Sequence, residues 1–348
     1  MNTKQKSVFT YTLLHFLVDF TTIFFISKAL LGPTMVGIVN RAYVIIVYNL
    51  LAFAGQLPMG MISDMIGKNR TVTAVGCVLA GMAFPVSLFS PWLGCIFAAV
   101  GNGAFHIGAG SDILQMSMPK AGLSGLFVSS GALGVWLAYK VKSFGFMYIC
   151  PVIMIISAVY LLASAKKQGC AEKVEIRYNK PSFTIFLAVS CFMLTIVIRS
   201  LIGSVMDFTW KSVPALSFAF VLGVAGGKAA GGFLGDRFGQ IKTAAVSLIV
   251  SLIAFVFAFD YPFTGIIGVF CFNMTMPLTL TAIAGVCNKK YGFAFGLTTF
   301  ALAIGFIPVV FGAGRLFGIW MLIWSVLVSL IFLVLGLVLK NRAEKGGI

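Results

Sequence analysis

The chain is a succession of long apolar runs separated by short breaks at glycine, proline or charged residues. A helix that crosses a hydrocarbon core of about 30 Å needs roughly 20 apolar residues, and the runs have about this length. The alternating pattern of transmembrane barrel strands is absent, and backbone groups at membrane depth must bond to one another, so each run predicts a helix. The twelve predicted spans are approximately 8–31, 36–62, 70–90, 92–117, 122–142, 145–165, 182–207, 213–235, 242–259, 262–287, 291–313 and 317–340.

Composition excludes a water-soluble protein. The 348 residues are 60% hydrophobic and 10% charged, with a mean hydropathy of +1.04. A soluble domain carries about 25% charged residues, and a surface this apolar would aggregate in water. One long polar stretch divides the chain near its middle. We therefore predict an all-α integral membrane protein with an N-terminal six-helix bundle (1–165), a cytoplasmic linker (166–181) and a C-terminal six-helix bundle (182–348).

The basic residues predict how the chain is oriented. The sequence has 25 Lys and Arg against 9 Asp and Glu, a net charge of +16. In a soluble protein this excess would favour nucleic acid, but basic residues gather in the cytoplasmic loops of membrane proteins. With the N-terminus inside, the outer ends of the spans hold few basic residues, namely Lys28, Arg41, Lys140, Lys142, Lys211 and Arg315. We expect a multi-pass protein of the inner or plasma membrane with both termini cytoplasmic.

A short motif occurs twice, each time after the second span of a half. Glycine, aspartate, glycine and a basic residue stand at identical spacing, as Gly60, Asp64, Gly67 and Arg70 and again as Gly232, Asp236, Gly239 and Lys242. The first glycine allows close helix packing, and the aspartate can cap a neighbouring helix N-terminus. The second glycine turns the chain, and the basic residue can pair inward or anchor to lipid phosphate. The alternative is a pair of tight hairpins with no further role.

With this duplicated motif the chain resembles the major facilitator superfamily. The first copy matches the signature of that family in the loop between spans 2 and 3, and the second copy matches its repeat in the loop between spans 8 and 9. The resemblance implies two pseudo-symmetric six-helix bundles that rock around a central cavity lined by spans 1, 4, 7 and 10. It also implies that Asp112 is the acidic partner of Arg70. On this basis the residues of conformational gating are Gly60, Asp64, Gly67, Lys68, Arg70, Asp112, Asp236, Arg237, Gly239 and Lys242.

Three shorter segments are similar to the fosmidomycin-resistance branch of drug exporters. They are His-Phe-Leu-Val-Asp at 15–19, Gly-Ala-Phe-His-Ile-Gly at 103–108 and Phe-Val-Ser-Ser-Gly-Ala-Leu-Gly at 127–134. This closer resemblance implies export of the solute.

Ionisable residues inside spans are expensive and are read as functional by default. His15 and Asp19 share one face of span 1, and Asn102 and His106 share one face of span 4, because four residues are about one helical turn. If both spans line the cavity, these side chains form one polar cluster. We predict that Asp19 couples transport to protons, with His15 or His106 as partner. The alternative is a structural hydrogen bond that holds spans 1 and 4 together.

Three polar residues of the second half are candidate substrate ligands. Arg199 lies in span 7, and Lys228 lies in span 8, which contains no carboxylate. Either cation could bind an anionic solute, but Arg199 could instead pair with Asp207, and Lys228 could snorkel to the interface. Asn273 in span 10 stands where Asn102 stands in span 4. The predicted substrate-binding residues are therefore Asn102, His106, Arg199, Asn273 and Lys228.

These features together predict a secondary active transporter that moves a small organic solute by alternating access, coupled to protons, with export as the direction. The alternatives are an uptake transporter for an organic anion and a non-transporting membrane sensor or scaffold. No phosphate-binding Gly-x4-Gly-Lys-[Ser/Thr] motif, Gly-x-Ser-x-Gly or His-Glu-x-x-His is present, so we expect no enzyme, catalytic residue or cofactor.

The seven cysteines are scattered without ligand spacing, which favours small buried residues over a metal site or disulfides. We expect a monomer whose partners are its small-molecule substrate, protons and the lipid bilayer, without nucleic acid.

Overall fold

The computed structural model describes residues 3–32, 40–165 and 182–345, and this part of the chain is almost entirely helical. Each of the twelve predicted spans corresponds to one helix. The helices are α1 Thr3–Leu30, α2 Arg41–Ile66, α3 Asn69–Ser87, α4 Pro91–Ser117, α5 Gly122–Lys140, α6 Phe146–Ala165, α7 Phe183–Val205, α8 Pro214–Phe238, α9 Gln240–Val256, α10 Pro262–Val286, α11 Tyr291–Val310 and α12 Ile319–Lys345. The predicted linker 166–181 lies outside the described residues.

Eleven of these helices are long and apolar enough to cross a membrane, and α9 is the shorter apolar helix among those described. Large apolar side chains remain exposed along them, for example Ile156 at 63% and Trp320 at 69%. In water such a surface would aggregate, whereas acyl chains are as apolar as these side chains. The helices are therefore those of a multi-pass membrane protein.

Local chemistry sets the ends of the helices. Asn40 begins α2, because its side-chain oxygen accepts hydrogen bonds from the backbone of Ala42 at 2.9 Å and of Tyr43 at 3.4 Å. Gly67 ends the same helix with a φ of 65°, a left-handed conformation that glycine adopts without strain. The predicted start of this span at 36 lies outside the described residues, and the described helix begins at Arg41.

A proline interrupts α10 near its middle. The helix runs over Pro262–Asn273, breaks at Met274 and resumes over Thr275–Val286. Pro277 has no N–H to donate to the carbonyl of Asn273, four residues earlier, so the regular ladder is lost there. The break lies beside the polar residues of this helix.

The chain forms two compact units. Unit 1 comprises Met1–Met116, Ser130–Glu175 and Lys290–Phe300, and unit 2 comprises Ser117–Ser129, Ile176–Lys289 and Ala301–Ile348. The start of α5 thus belongs to unit 2, and the start of α11 to unit 1. The predicted division of the sequence into halves at 166–181 stays a prediction.

The core of unit 1 is built from aromatic side chains and small residues. Phe20 stacks on Phe24 with ring centroids 5.4 Å apart, and both rings contact Phe146 edge-on. Small residues of α4, such as Ala98 and Ala99, are fully buried in the same cluster. This packing holds α1 close to α4, which positions the polar side chains of both helices.

Candidate functional site

The facing sides of α1 and α4 bring four predicted residues together in unit 1. Asn102 donates its side-chain N–H to Asp19 Oδ1 at 2.9 Å. His15 Nε2 lies 3.2 Å from Asp19 Oδ2, and His106 Nε2 lies 3.6 Å from Asp19 Oδ1. The two imidazoles also meet, with their Nε2 atoms 2.9 Å apart. We call His15, Asp19, Asn102 and His106 the histidine–aspartate cluster.

A backbone carbonyl defines the protonation pattern of His106. Its Nδ1 atom lies 2.8 Å from the carbonyl oxygen of Asn102. A carbonyl only accepts, so Nδ1 carries the hydrogen, and Nε2 of a neutral His106 has a free lone pair. That lone pair accepts from His15 Nε2–H. A further proton on His15 Nδ1 gives one imidazole and one imidazolium that share the Nε2 proton, next to the Asp19 carboxylate. The cluster can therefore hold one proton between two imidazoles and a carboxylate.

Thr22 and Tyr48 extend the cluster, and both were missing from the sequence prediction. Thr22 Oγ1 accepts a hydrogen bond from Asn102 Nδ2 at 3.2 Å and another from the Tyr48 hydroxyl at 3.2 Å. Thr22 itself donates to the carbonyl of Val18 at 2.9 Å. Thr22 follows Asp19 by three residues and so shares its helix face, a signal that was available in the sequence. Tyr48 lies on another helix and gave no such signal.

The cluster is largely closed to solvent. The side chains of His15, Asp19 and His106 are 6%, 14% and 13% exposed. A Cβ atom at Gly131 of α5 would clash with Asp19 Oδ2 and His15 Nε2, so glycine allows the helix to lie directly on the carboxylate. A buried carboxylate is costly unless hydrogen bonds or a positive charge compensate it, and this cluster offers both.

The same three groups could hold a metal ion, because their ligand atoms lie within 4.8 Å of one another. Tetrahedral zinc, with Zn–N bonds of about 2.0–2.1 Å, separates its nitrogen ligands by roughly 3.3 Å. The two imidazole nitrogens are closer, at 2.9 Å, which is a hydrogen-bond distance. The observed geometry is that of a shared proton, and a metal would have to push the rings apart.

Arg199 of α7 is buried in unit 2 without a carboxylate. It is 7% exposed, and its Nη1 donates to Thr279 Oγ1 of α10 at 3.2 Å. Thr279 itself donates to the carbonyl of Thr275 at 3.1 Å. Within the described residues, the guanidinium forms no other hydrogen bond and no ion pair. Four of its five N–H donors are therefore unused among the described residues.

The alternative pairing of Arg199 with Asp207 is wrong. Asp207 is 88% exposed and lies 3.9 Å from Lys211 Nζ instead. The helix ends between the two residues, since α7 stops at Val205 and Met206 has an extended backbone. Burial lowers the pKa of Lys211, and the charge of Asp207 opposes this shift.

The other two candidates of the second half are not joined to Arg199 by a hydrogen bond in the described residues. Asn273 Nδ2 donates to the carbonyl of Val269 at 2.9 Å, within its own helix. Lys228 is half-buried on α8. Their predicted substrate contacts stay predictions.

The two aspartates of the duplicated motif cap two helices in the same way. Asp64 accepts from the backbone N–H groups of Gly292 and Phe293, both at 2.8 Å, at the start of α11. Asp236 accepts from Ala121 at 2.6 Å and Gly122 at 2.9 Å, at the start of α5. A carboxylate satisfies the free N–H groups of a helix N-terminus and interacts favourably with its dipole. The sequence predicted a cap, and the structure identifies the helices.

The first glycine of each motif lies against the same helix start. A Cβ atom at Gly60 would clash with the carbonyl oxygen of Gly292, and one at Gly232 would clash with that of Ala121. Backbone cannot move aside as a side-chain end can, so both positions require glycine. Gly67 and Gly239 turn the chain with φ values of 65° and 90°.

We expect Gly60→Ala to lower the melting temperature of the purified protein in detergent by several degrees, because the methyl group meets backbone. Gly203→Ala is the matched control. A Cβ atom there meets nothing within 4 Å, so this change should stabilise helix α7 by about 0.5–1 kcal/mol. Equal shifts of the two variants would contradict the close approach at Gly60.

The basic ends of the two motifs differ. Arg70 Nε lies 3.8 Å from Asp112 Oδ2, the partner that the resemblance implies, and its Nη2 donates to Ser7 at 2.9 Å. Tyr11, which the sequence prediction missed, donates its hydroxyl to Asp112 at 2.5 Å. Lys242 is exposed, as are Lys68 and Arg237. The inward pair is therefore a feature of the first copy alone within the described residues.

Three solved structures align along nearly the whole chain. A variant of the E. coli fucose:proton symporter FucP has a TM-score of 0.66 and 13% identity, covering 98% of this chain and 99% of that chain. The human organic anion transporter MFSD10 has a TM-score of 0.64 and 12% identity, covering 98% of this chain and 99% of that chain. A bacterial homologue of the iron transporter ferroportin has a TM-score of 0.61 and 15% identity, covering 97% of this chain and 99% of that chain. FucP is a Major Facilitator Superfamily transporter. The chain has the major facilitator fold.

No family model matches the sequence, and no curated protein matches it at the sequence level. The similarity is therefore one of structure. The major facilitator fold was predicted from the duplicated motif and the twelve spans, and the structural comparison confirms it. The narrower resemblance to the fosmidomycin-resistance branch stays a prediction.

Proposed function

We propose that this chain is a secondary active transporter that moves a small organic solute by alternating access, coupled to protons, with export as the direction. The observation that carries the proposal is Asp19, buried between two imidazoles and one amide. Protonation changes the net charge of this cluster from −1 to 0. A buried charge is costly at membrane depth, so the protonation state can bias which side of the membrane the site opens to.

The comparisons support this proposal at the level of fold. Three structural neighbours are described as transporters, and one of them as a proton symporter. Export rests on the segments at 15–19, 103–108 and 127–134, which resemble drug exporters of the fosmidomycin-resistance branch. The substrate ligands we propose are Asn102 and His106 in the first half and Arg199, Asn273 and Lys228 in the second.

We also propose that the duplicated motif gates the site. Asp64 and Asp236 each hold the start of a helix through two hydrogen bonds, and Gly60 and Gly232 lie on the same helix starts. Such contacts can form in one state and break in the other, because backbone N–H groups at a helix end can also bond to water. In the proposed orientation both motifs face the cytoplasm, with both termini on that side of the cell membrane.

A second candidate function is uptake of an organic anion, and Arg199 favours it. A buried guanidinium with one hydroxyl partner is stabilised most by an ionic hydrogen bond to a carboxylate, phosphonate or sulfonate of the substrate. The direction of transport depends on how proton and solute binding are linked. Uptake and export therefore share the same residues and differ in the measured flux.

The test uses the purified full chain in proteoliposomes, with fosmidomycin as the first probe because of the branch resemblance. Flux is measured in both directions, with a pH gradient of either sign and without one. Proton-coupled export predicts that the solute accumulates in the vesicles only when protons flow in the opposite direction. Proton-coupled uptake predicts that the solute and the protons move in the same direction. If fosmidomycin is inert, thermal stabilisation in detergent selects other solutes from a panel of organic anions and neutral compounds. Stabilisation by a solute that is never transported would instead support a sensor or scaffold.

A further inference from the structure

A polar cavity of about 320 Å³ lies between α1, α3 and α6 of unit 1. Eight of its nine lining residues carry a charged group or a hydroxyl. They include two cations and a group of hydroxyls, among them Lys6, Arg70, Thr10, Tyr11, Tyr160 and Ser164. A cavity of this size accommodates a phosphate group with its nearest substituents.

The cavity lies at the ends of its three helices. Helix α1 begins at Thr3, α3 begins at Asn69, and α6 ends at Ala165. Its lining residues come from the first turns of α1 and α3 and the last turns of α6. The ends of membrane-spanning helices lie at the level of the lipid headgroups. The cavity therefore lies where headgroups are present at high local concentration.

The charges around the cavity leave an excess of one positive charge. Arg70 forms an ion pair with Asp112, with Nε 3.8 Å from Oδ2, and it donates a hydrogen bond to the Ser7 hydroxyl. The Lys6 ammonium is exposed, and in the part of the chain that the structure describes it has neither an ion pair nor a hydrogen bond. Two cations against one carboxylate match a ligand with a single negative charge, such as a phosphodiester.

Exposed apolar side chains also lie on α1 and α6, beside and beyond the residues that line the cavity. On α1 they are Phe9 and Leu13, which are 61% and 48% exposed. On α6 they are Ile156 and Val159, which are 63% and 61% exposed. A free phosphate makes no use of such a surface, whereas acyl chains do. The two helices thus carry a site for a headgroup at their ends and apolar side chains nearby that acyl chains can contact.

We propose that this cavity binds the phosphate of an anionic phospholipid headgroup. Lys6 and Arg70 contact the phosphate oxygens, and the hydroxyls of Thr10 and Tyr160 donate to the remaining oxygens or to the glycerol. Basic pockets between transmembrane helices are suited to anionic headgroups for this reason. The lipid would hold α1 against α3 and α6 next to the Arg70–Asp112 pair.

The experiment titrates the purified full chain in detergent with phosphatidylglycerol and, separately, with zwitterionic phosphatidylcholine, and counts bound lipids by native mass spectrometry. We expect one phosphatidylglycerol to bind more tightly than phosphatidylcholine. Lys6→Gln should weaken it about fivefold, as expected for one basic residue near an anionic surface. Tyr160→Phe should weaken it by a smaller factor. Lys4→Gln is the matched control, because Lys4 is exposed on the same helix but does not line the cavity.

Each other outcome overturns the proposal. Equal weakening by Lys4→Gln and Lys6→Gln would mean diffuse attraction to a basic surface. Equal affinity for the two lipids, unchanged by Lys6→Gln, would mean adsorption on the apolar belt. Inorganic phosphate or glycerol phosphate that binds in place of the lipid, with a Lys6-dependent affinity and no preference for phosphatidylglycerol, would identify a soluble phosphate as the ligand.

Discussion

Replacing Asp19 by asparagine is expected to abolish transport driven by a pH gradient while leaving the protein folded. The amide has the shape of the carboxylate, and its oxygen can still accept from Asn102, which donates at 2.9 Å in the native cluster. It carries no charge, however, and cannot stabilise a protonated His15 or His106. We expect the gradient-driven flux to fall by at least about 100-fold, the lower end of what a positioned proton-transfer group contributes.

The control is Asp207→Asn, whose carboxylate is 88% exposed and pairs at 3.9 Å with Lys211. This variant should transport at the wild-type rate. Two further readouts separate proton coupling from a structural role of Asp19. Exchange of labelled for unlabelled solute without a gradient should survive in Asp19→Asn, and the melting temperature should change little. Unchanged gradient-driven flux would remove Asp19 from the mechanism, and a large fall in melting temperature together with lost exchange would support the structural alternative.

Replacing Arg199 by glutamine is expected to weaken the binding of anionic solutes by about 100-fold, the effect of losing a buried charge-assisted contact of roughly 3 kcal/mol. The measurement is the half-saturation concentration of the probe in proteoliposomes, together with its stabilising effect in detergent. Without solute, Arg199→Gln should melt at the same temperature as the wild type or higher. The reason is that the native guanidinium is buried with Thr279 as its hydrogen-bond partner and no carboxylate among the described residues.

Arg315→Gln serves as the control, because Arg315 is an exposed arginine of the same half of the sequence. It should leave both the affinity and the melting temperature unchanged. Two results would contradict a substrate role for Arg199: a variant that binds the anionic probe as tightly as the wild type, or one that is strongly destabilised in the absence of any solute. The second would mean that the cation is a structural element of α7.

Much of the site could be predicted because it depends on spacing within single helices. His15 and Asp19 are four residues apart, as are Asn102 and His106, so each pair shares a face regardless of how the helices pack. The cost of exposing such groups to lipid then predicts that both faces turn inward. The structure links the four side chains through the contacts Asn102–Asp19, Asp19–His15 and His15–His106, which are 2.9, 3.2 and 2.9 Å long.

Residues contributed by other helices could not be predicted in this way. Tyr48 reaches Thr22 from α2, and Tyr11 reaches Asp112 across 101 positions of the chain. The position of a tyrosine in the sequence does not indicate which neighbour its hydroxyl contacts. The alternative pairing of Arg199 with Asp207 failed for the same reason, because the position of Asp207 depends on where α7 ends.

The sequence by itself determined that the chain lies in a bilayer, that its apolar runs are helices and that one motif is repeated. Runs of about 20 apolar residues are tolerable only in a bilayer, where backbone groups must bond within a helix, so length and composition decide these features locally. Only the tertiary structure decided which helix start each motif aspartate caps and which side chains complete the cluster around Asp19. Those contacts join residues up to 229 positions apart, such as Asp64 and Phe293, and they depend on how the helices pack together.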